Sequence, residues 1–362
     1  MPHRRILLMI AVACLGAAVI VPTATALTAG VRVEASSGTI ASLTPVTVSA
    51  TPSFYDSNGN LYRTKTPNAL AALASAAGIR GFTWEAAYEG TFVTNIAGFT
   101  SLPDWSEGWV YAVNGAGYPI VDVAAIDFTL RDGDETLWTQ SPDATFARAS
   151  VALVTELDTT YTSGEDLTVT VKADDLAKVN NQADYDRYGL TDPTQLEKPA
   201  DFPPVEGATV HVGSATYTTS SDGTVTIAAP ADGSYLVWAE KPMDVSTWYV
   251  RSPRTLVNFG AELTLTGASV APAKFVPGKA RPTVRFTLSR PARVKVQIRN
   301  AKNKTIRTML VRREAGERQV TWNGRRADGK LVPRRARYTL RVSAADTWGR
   351  VTPVTVLKLQ AK

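Results

Sequence analysis

The sequence has one cysteine and two histidines in 362 residues, and this scarcity limits the chemistry available to it. Cys14 and His3 both lie at the N-terminus, in or beside an apolar run, which leaves His211 as the one histidine for the folded domains. A Ser-His-Asp triad or a zinc site of the usual kinds would depend on it. No serine or acidic motif lies near His211 in the sequence, so we predict that His211 is a structural residue of a strand. We also predict that the protein is not an enzyme and needs no cofactor.

Two acidic stretches invite a metal or acid-base role, and neither supports one. Asp56–Asn60 has the composition of a calcium loop, but Leu61 occupies the sixth position, where such a loop needs glycine. We interpret it as a turn. Asp174 and Asp175 stand in a hydrophilic stretch, where solvated carboxylates are expected. The sequence has no glycine-rich phosphate loop, so it predicts neither a metal site nor a catalytic one.

The N-terminus has the organisation of an export signal. Arg4 and Arg5 precede the unbroken apolar run Ile6–Val21, and Ala24–Ala26 supplies the small-x-small pattern that a signal peptidase recognises. We predict a signal peptide over residues 1–26 and a secreted protein at the cell surface or wall. The run is shorter than the roughly 20 residues that span a membrane. An uncleaved anchor and lipidation at Cys14 are the alternatives.

Charge is distributed very unevenly along the chain. Residues 262–362 contain 24 Lys and Arg against 5 Asp and Glu, a net charge of +19, whereas the whole chain carries +6. The preceding residues are therefore acidic, at −13. Such asymmetry usually marks an interaction surface. We predict that the basic part docks on anionic envelope polymers; a basic face with no partner, and docking on the acidic front of the chain itself, are the alternatives.

Residues 27–143 combine strand patterns with one helix. Period-two alternation predicts strands near Val31–Glu34 and Val46–Val48, with others at 92–93, 109–113, 126–130 and 136–138. Thr66 as the N-cap, Pro67 after it and Gly78 as the stop predict a helix between them. Asn114-Gly115 predicts a hairpin turn, and Asp132–Asp134 predicts another.

This first segment resembles the transcobalamin-like C-terminal domain, a β-grasp-type module. The resemblance rests on four stretches in the expected order: Asn68-Ala-Leu-x-x-Leu, Ile96-Ala-Gly98, Trp109-x-Tyr-x-Val-Asn-Gly115 and Arg131-Asp-Gly-Asp-Glu-Thr-Leu-Trp138. It implies one helix on a mixed sheet. In the vitamin carriers this module closes over cobalamin against a helical barrel, which this sequence lacks, so cobalamin is kept as an alternative ligand.

An aromatic cluster makes the first segment the predicted ligand-binding part. Trp and Tyr offer flat apolar faces with polar tips, which suit ligands or protein partners. Trp109 and Trp138 are expected in the core. The predicted ligand-binding residues are Trp84, Trp105, Asn114 and Tyr118.

Residues 144–261 predict a β-sandwich. The pattern Gly207-Ala-Thr-Val-His-Val-Gly213 with Asp222-Gly223 and Gly233-Ser-Tyr235 resembles carboxypeptidase-regulatory-like domains. Those are structural or binding modules. A polar insertion over residues 174–204 is expected to be a long loop of functional or mobile character.

Residues 262–362 predict a basic Ig-like sandwich of about seven short strands. The stretches Ser289-Arg-Pro-Ala, Thr321-Trp-Asn-Gly324, Gly329-Lys-Leu-Val-Pro333 and Tyr338-Thr-Leu resemble the Ig-like domain of flagellar hook-capping proteins. Such a module typically serves as a stalk or attachment domain. The predicted surface-binding residues are Arg312, Arg313, Arg325, Arg326, Arg334, Arg335 and Arg337.

Together these patterns predict a mainly β, multi-domain protein: an α+β β-grasp-like module followed by two β-sandwiches. We expect a non-catalytic, extracytoplasmic binding protein whose front binds a ligand or partner while its basic end docks on an anionic envelope. An exported protein rarely meets nucleic acid, so none is expected as a partner. An adhesin or assembly scaffold that binds a surface protein is one rival, cobalamin-type capture another, and an uncharacterised hydrolase the last.

Overall fold

The computed structural model describes residues 26–102, 107–142, 149–244 and 246–362. The predicted leader, including Cys14, and Trp105 lie outside the described residues. The protein is mainly β and multi-domain, which confirms the predicted fold class. The chain divides into two compact units, one of Met1–Asn114 with Asp122–Ala144 and the other of Gly115–Val121 with Thr145–Lys362.

The first unit is a mixed sheet with one helix on it. The sheet order is β2-β1-β9-β8, with β1 parallel to β9 and the other pairs antiparallel. Helix α1 packs on β1 and β2. Smaller sheets are β3-β4 and β5-β6-β7. The elements are β1 (Leu27–Ala35), β2 (Gly38–Val48), β3 (Ser53–Tyr55), β4 (Leu61–Arg63), α1 (Ala69–Arg80), β5 (Trp84–Ala87), β6 (Phe92–Ile96), β7 (Phe99–Thr100), β8 (Gly108–Val113) and β9 (Glu135–Ser141).

The ends of α1 differ from the prediction. Asn68, not Thr66, is the N-cap, and its Oδ1 accepts a hydrogen bond from Ala71 N at 2.8 Å. Gly78 stays inside the helix, at an exposed position where a missing side chain costs little packing. The helix ends at Gly81, whose φ of 75° lets its N–H donate to Ala77 O. A glycine stops a helix where the backbone turns left-handed, which Gly81 does and Gly78 does not.

Two other local predictions for this unit were wrong. Residues 126–130 form no strand; Thr129 makes one bridge, to Asn68. Asn114-Gly115 is not a two-residue hairpin, because β8 pairs with β9 and the chain between them runs from residue 114 to residue 134. The Asp132–Asp134 turn is present, with Gly133 at a φ of 87°.

The second unit contains two sandwiches. The sheets of the first are β15-β12-β10-β17 and β11-β18-β16-β13-β14, closed over a core that includes Leu153, Val169 and Val237. The elements are β10 (Ala149–Glu156), β11 (Thr160–Tyr161), β12 (Leu167–Asp175), α2 (Gln182–Arg187), β13 (Thr209–Val212), β14 (Ala215–Thr218), β15 (Thr224–Ile227), β16 (Gly233–Glu240), β17 (Thr247–Val250) and β18 (Thr255–Phe259).

The insertion of residues 174–204 is structured, contrary to the expectation of a long loop. It contains α2 and two 3₁₀ turns, Pro193–Gln195 and Pro199–Asp201. Val179 is fully buried and bridges Leu196. Asp174 is also buried rather than solvated, because Asn180 Nδ2 donates to its carboxylate at 3.1 Å. Buried apolar residues and internal hydrogen bonds therefore hold this segment in place, although its polar composition favours a loop.

The last sandwich packs the sheet β19-β21-β24 on the sheet β20-β26-β25-β22-β23. Every second residue of its strands points into the core, as Val284, Phe286 and Leu288 do, and the core is centred on Trp322 and Phe275. The strands are β19 (Leu265–Ala271), β20 (Lys274–Phe275), β21 (Thr283–Leu288), β22 (Ala292–Asn300), β23 (Thr305–Arg313), β24 (Gly316–Thr321), β25 (Arg337–Ala345) and β26 (Thr355–Ala361).

Candidate functional site

The aromatic residues of the first unit are mostly core. Trp84 is 3% exposed, with ring centroids 6.1 Å from Phe54 and 5.9 Å from Tyr62. Trp109 and Trp138 are buried as expected, and Trp109 Nε1 donates to Phe99 O at 2.7 Å. The burial of Trp84 leaves its ring no open face, so its assignment as a ligand-binding residue is corrected to a core residue.

Asn114 acts as a backbone clamp in the first unit. Its Nδ2 donates to Asp134 Oδ1 at 3.0 Å, and its Oδ1 accepts from Glu135 N at 2.9 Å. The residue sits at a φ of 53°, in the left-handed region that asparagine tolerates better than most. Both ends of the amide are therefore engaged in holding the start of β9. A ligand at Asn114 would have to compete with these bonds.

Tyr118 is the predicted ligand-binding residue that the structure leaves accessible. It is 47% exposed and lies in the Gly115–Val121 segment of the second unit. That segment is held by Gly117 N, which donates to Leu176 O at 2.7 Å. A ligand-binding role for Tyr118 stays a prediction.

A shallow cleft of about 1020 Å³ in the first unit was not anticipated from the sequence. Tyr88, at its rim, is 71% exposed and makes an edge contact with Phe92 at 5.9 Å. Tyr88 and Glu89 both have φ above 50°, which is unfavourable for residues with a Cβ. Arg63, Lys65, Glu89 and Asp127 line the cleft together, so it favours neither sign of ligand charge.

His211 is a strand residue with its partners in place, as predicted. Its ring stacks on Trp238 with 3.8 Å between centroids, and its Nε2 lies 3.0 Å from Glu240 Oε1. Arg251 Nε donates to the other oxygen of Glu240 at 2.9 Å. Burial opposes ionisation of Glu240, but the bonds from Arg251 and His211 outweigh it and lower the pKa of that carboxyl. The cluster joins neighbouring strands and contains no nucleophile.

The basic residues of the last sandwich fall into two groups. Arg325, Arg326, Arg334 and Arg335 lie in loops, and Arg326 Nη2 is 3.2 Å from Asp328 Oδ2. Arg312, Arg313 and Arg337 lie in strands instead. Arg313 is turned toward the other sheet, where its Nε donates to Gln319 O at 3.2 Å. The predicted basic residues therefore do not form one continuous patch.

A second set of cations, of which the sequence analysis singled out only Arg312 and Arg337, covers the solvent face of the five-stranded sheet. Strand pairing places Arg293 opposite Arg312, and Gln297 opposite Arg341. The alternation of exposed cations with buried valines along β22 signals this face. We call it the basic sheet face, and its cations are Arg293, Lys295, Arg299, Arg312, Arg337, Arg341 and Lys358.

A depression of about 670 Å³ opens at one end of this face. Arg293 and Arg312 line it together with Leu310, which is 52% exposed, and with Trp348. The Trp348 ring is covered by two guanidinium groups, Arg290 at 3.7 Å and Arg350 at 4.7 Å from its centroid. The depression is therefore cationic with an apolar edge, and its Trp348 ring is covered by the two arginines.

No metal site or membrane span is present in the described parts of the chain. Among these residues, no group of three or more His, Cys, Asp or Glu side chains is placed to hold a metal ion. No helix within the described ranges is long and apolar enough to cross a membrane.

Two families match parts of the chain. The FlgD Ig-like domain matches residues 273–347, and a domain of unknown function, DUF4430, matches residues 70–141. These matches confirm the flagellar hook-capping resemblance at the C-terminus and the transcobalamin-like resemblance near the N-terminus; the regulatory-like resemblance of the middle sandwich stays a prediction. The Ig-like match indicates a binding or scaffold module, a kind of domain that is typically non-catalytic.

Solved structures with similar sandwiches share little sequence with this chain. The fibronectin(III)-like modules of Clostridium thermocellum CbhA are 16% identical, with a TM-score of 0.29, over 58% of this chain and 94% of theirs. FlgD from P. aeruginosa is 17% identical, with a TM-score of 0.21, over 27% and 70%. The BSP domain of a biofilm-associated protein is 13% identical, with a TM-score of 0.18, over 58% and 30%. No curated protein matches the chain.

Proposed function

We propose that this is a non-catalytic, extracytoplasmic binding protein whose basic C-terminal sandwich docks on anionic polymers of the cell envelope. The supporting observation is the charge of residues 262–362, which contain 24 Lys and Arg but only 5 Asp and Glu. A surface of one sign attracts polyanions over a range set by the ionic strength. Outside a cell the abundant polyanions are wall and membrane polymers.

The other modules have supporting roles in this proposal. Any specific binding of a ligand or partner belongs to the first unit. Tyr118 lies close to this unit in the sequence and is exposed, but it is part of the second unit. The middle sandwich is a spacer. The leader directs export, and we expect the mature chain to begin at Leu27, which mass spectrometry of the exported protein would show directly.

The test is a binding assay on the chain beginning at Leu27. Purified protein is mixed with isolated envelopes and sedimented at increasing salt. We expect co-sedimentation at 0.1 M salt and release toward 1 M, as the Debye length falls from about 10 Å to about 3 Å. No binding at low salt would contradict envelope docking, and binding that survives 1 M salt would show that charge is not its basis.

An assembly scaffold is the second candidate, and the FlgD Ig-like match favours it. It predicts a protein partner in pull-downs from envelope extracts, retained after the wall polymers have been digested. Cobalamin capture rests on the transcobalamin-like resemblance of the first unit alone. Equilibrium dialysis of the same protein against cobalamin tests it.

A further inference from the structure

Of the 24 cations of the last sandwich, ten lie in its five-stranded sheet, two in its three-stranded sheet and twelve outside the strands. Strands β22, β23, β25, β26 and β20 contain Lys and Arg but not one Asp or Glu. Seven of these cations belong to the basic sheet face, five of them arginines. All seven lie within the described residues, and none of them makes an ion pair with another described residue.

One pair on this face is unfavourable for folding. Arg293 and Arg312 stand directly opposite each other on neighbouring strands, where Cβ atoms are about 5 Å apart. Like charges at such positions destabilise a sheet. An anion seated between the two guanidinium groups would relieve the repulsion, and the depression beside them provides the space.

The arrangement fits a repeating anion better than a single ion. Alternate residues along β22 are about 6.7 Å apart, and neighbouring strands are about 4.8 Å apart. Cations at Arg293, Lys295 and Arg299 therefore form a row, with Arg312 and Arg341 on either side of it. A flexible polymer with a charge in each unit could follow this row and bind one cation after another.

The side chains of the face also discriminate among polyanions. Arginine binds phosphate through two parallel hydrogen bonds, as it does carboxylate, so the five arginines of the face suit a phosphodiester chain. Single-stranded nucleic acid is held by aromatic rings on which bases stack. The outward positions of β22, β23, β25 and β26 contain no Phe, Tyr or Trp, and Trp348 beside them is covered by Arg290 and Arg350. Exposed Leu310 and Val356 suit the aliphatic links of a polyol chain.

We propose that the basic sheet face is the docking surface for a linear polyol phosphodiester polymer of the cell wall, and that the Arg293–Arg312 pair contributes most to the affinity. This inference rests on the proposed function and names its site and ligand class. It differs from the prediction drawn from the sequence, which assigned binding to the clustered arginines, most of them in loops.

The test compares two quadruple variants of the chain beginning at Leu27 that remove the same charge. The face variant carries Arg293→Gln, Lys295→Gln, Arg312→Gln and Arg341→Gln. The loop variant carries Arg325→Gln, Arg326→Gln, Arg334→Gln and Arg335→Gln. Binding to poly(glycerol phosphate) is measured by calorimetry at several salt concentrations, and thermal melts check that both variants are folded.

We expect the face variant to bind at least about tenfold more weakly, and the loop variant to stay within about threefold of the parent. The slope of log Kd against log salt should fall by about 0.7 for each phosphate that the variant no longer neutralises, taking single-stranded polyelectrolytes as the guide. A second face variant, Arg293→Lys with Arg312→Lys and Arg341→Lys, keeps the charge and should bind more tightly than the glutamine variant, which separates charge from any disturbance of folding.

Equal losses of affinity in the face and loop variants would overturn the inference, because binding would then follow net charge, while the proposed function would stand. Failure of the parent chain to bind the polymer or envelopes at low salt would overturn both. Tighter binding to single-stranded DNA or to phosphatidylglycerol vesicles than to the polymer, with the same sensitivity to the face variant, would reject the wall polymer as the occupant.

Discussion

The guanidinium carbon of Arg290 lies 3.7 Å from the centroid of the Trp348 ring, over the segment that joins the two sandwiches of the second unit. Arg350 approaches the same ring, and its Nη1 donates to Gly260 O at 2.7 Å and to Ala261 O at 2.6 Å. Both arginines also lie within 4 Å of the Asp346 carboxylate. The connecting residues are therefore fixed by a cluster from the last sandwich.

This cluster predicts that Arg350→Ala loosens the junction. The change removes a stacked cation and three hydrogen bonds to backbone carbonyls, those of Gly260, Ala261 and Tyr161, which together contribute about 2–3 kcal/mol. Phe259 precedes Gly260 and is fully buried, so chymotrypsin should cut after it slowly in the parent chain. We expect faster cleavage there in the variant. Arg254→Ala, which removes the Arg254–Trp238 interaction in the middle sandwich, is the control; equal rates in both would contradict a clamp.

Asn114 gives a second prediction, because its conformation and its hydrogen bonds can be separated. Asn114→Gly keeps the left-handed backbone accessible but removes the bonds to Asp134 and Glu135, at about 1 kcal/mol each. Asn114→Ala removes the bonds and adds about 1–2 kcal/mol of backbone strain. Hydrogen exchange of the β8 and β9 amides should therefore accelerate in the order parent, Gly variant, Ala variant. Unchanged exchange in both would show that Asn114 does not hold β9.

The fold was more predictable than the site, and β22 shows why. Its alternating sequence, Arg-Val-Lys-Val-Gln-Ile-Arg, determines which side chains point inward, because the period of a strand is two. It does not determine which residue of another strand stands opposite. The pairing of Arg293 with Arg312 depends on the register of a hairpin that contains a bulge near Arg299. The loop arginines looked more prominent in the sequence because they are adjacent, whereas the face is assembled from separate strands.

The burial of Trp84, unlike that of Trp109 and Trp138, was not predicted from the sequence. Trp84 begins a short strand beside turn residues, as an exposed aromatic could. Its burial follows from Phe54 and Tyr62, which come from a different hairpin. The insertion 174–204 depends in the same way on Val179 meeting Leu196.

Tyr62 predicts a loss of stability in alkaline solution. Burial and the negative charge of Asp56, whose Oδ2 accepts from the Tyr62 hydroxyl at 3.2 Å, raise the pKa of Tyr62 to about 12. A raised pKa means that the contribution to stability is complete below the unfolded value of about 10. It is lost as the pH rises from about 10 to about 12.

The measurement is the melting temperature of parent and Tyr62→Phe from pH 8 to pH 12. The variant lacks the ionisation, so its melting temperature should fall less steeply above pH 10. Tyr55→Phe, at a position that is 62% exposed, is the control and should follow the parent. Identical slopes for all three proteins would contradict a shifted Tyr62.

Glu240 predicts the opposite dependence in acid. Burial raises the pKa of Glu240, but the hydrogen bonds from Arg251 and His211 lower it by more than burial raises it. The pKa of Glu240 is therefore lowered. A lowered pKa gives stability that is present above the unfolded value of about 4.3 and is lost as the pH falls through the folded value.

Glu240→Gln should therefore be less stable than the parent at pH 7, by about 1–2 kcal/mol for a charge-assisted bond. The difference should shrink as the pH falls through the lowered pKa of Glu240, below which the parent carboxyl is also neutral. Glu206→Gln, an exposed position, removes the same charge and should show neither effect. A difference between parent and Glu240→Gln that stays constant from pH 7 to pH 3 would mean that the charge of Glu240 contributes nothing, and that the glutamine merely packs less well against Arg251 and His211.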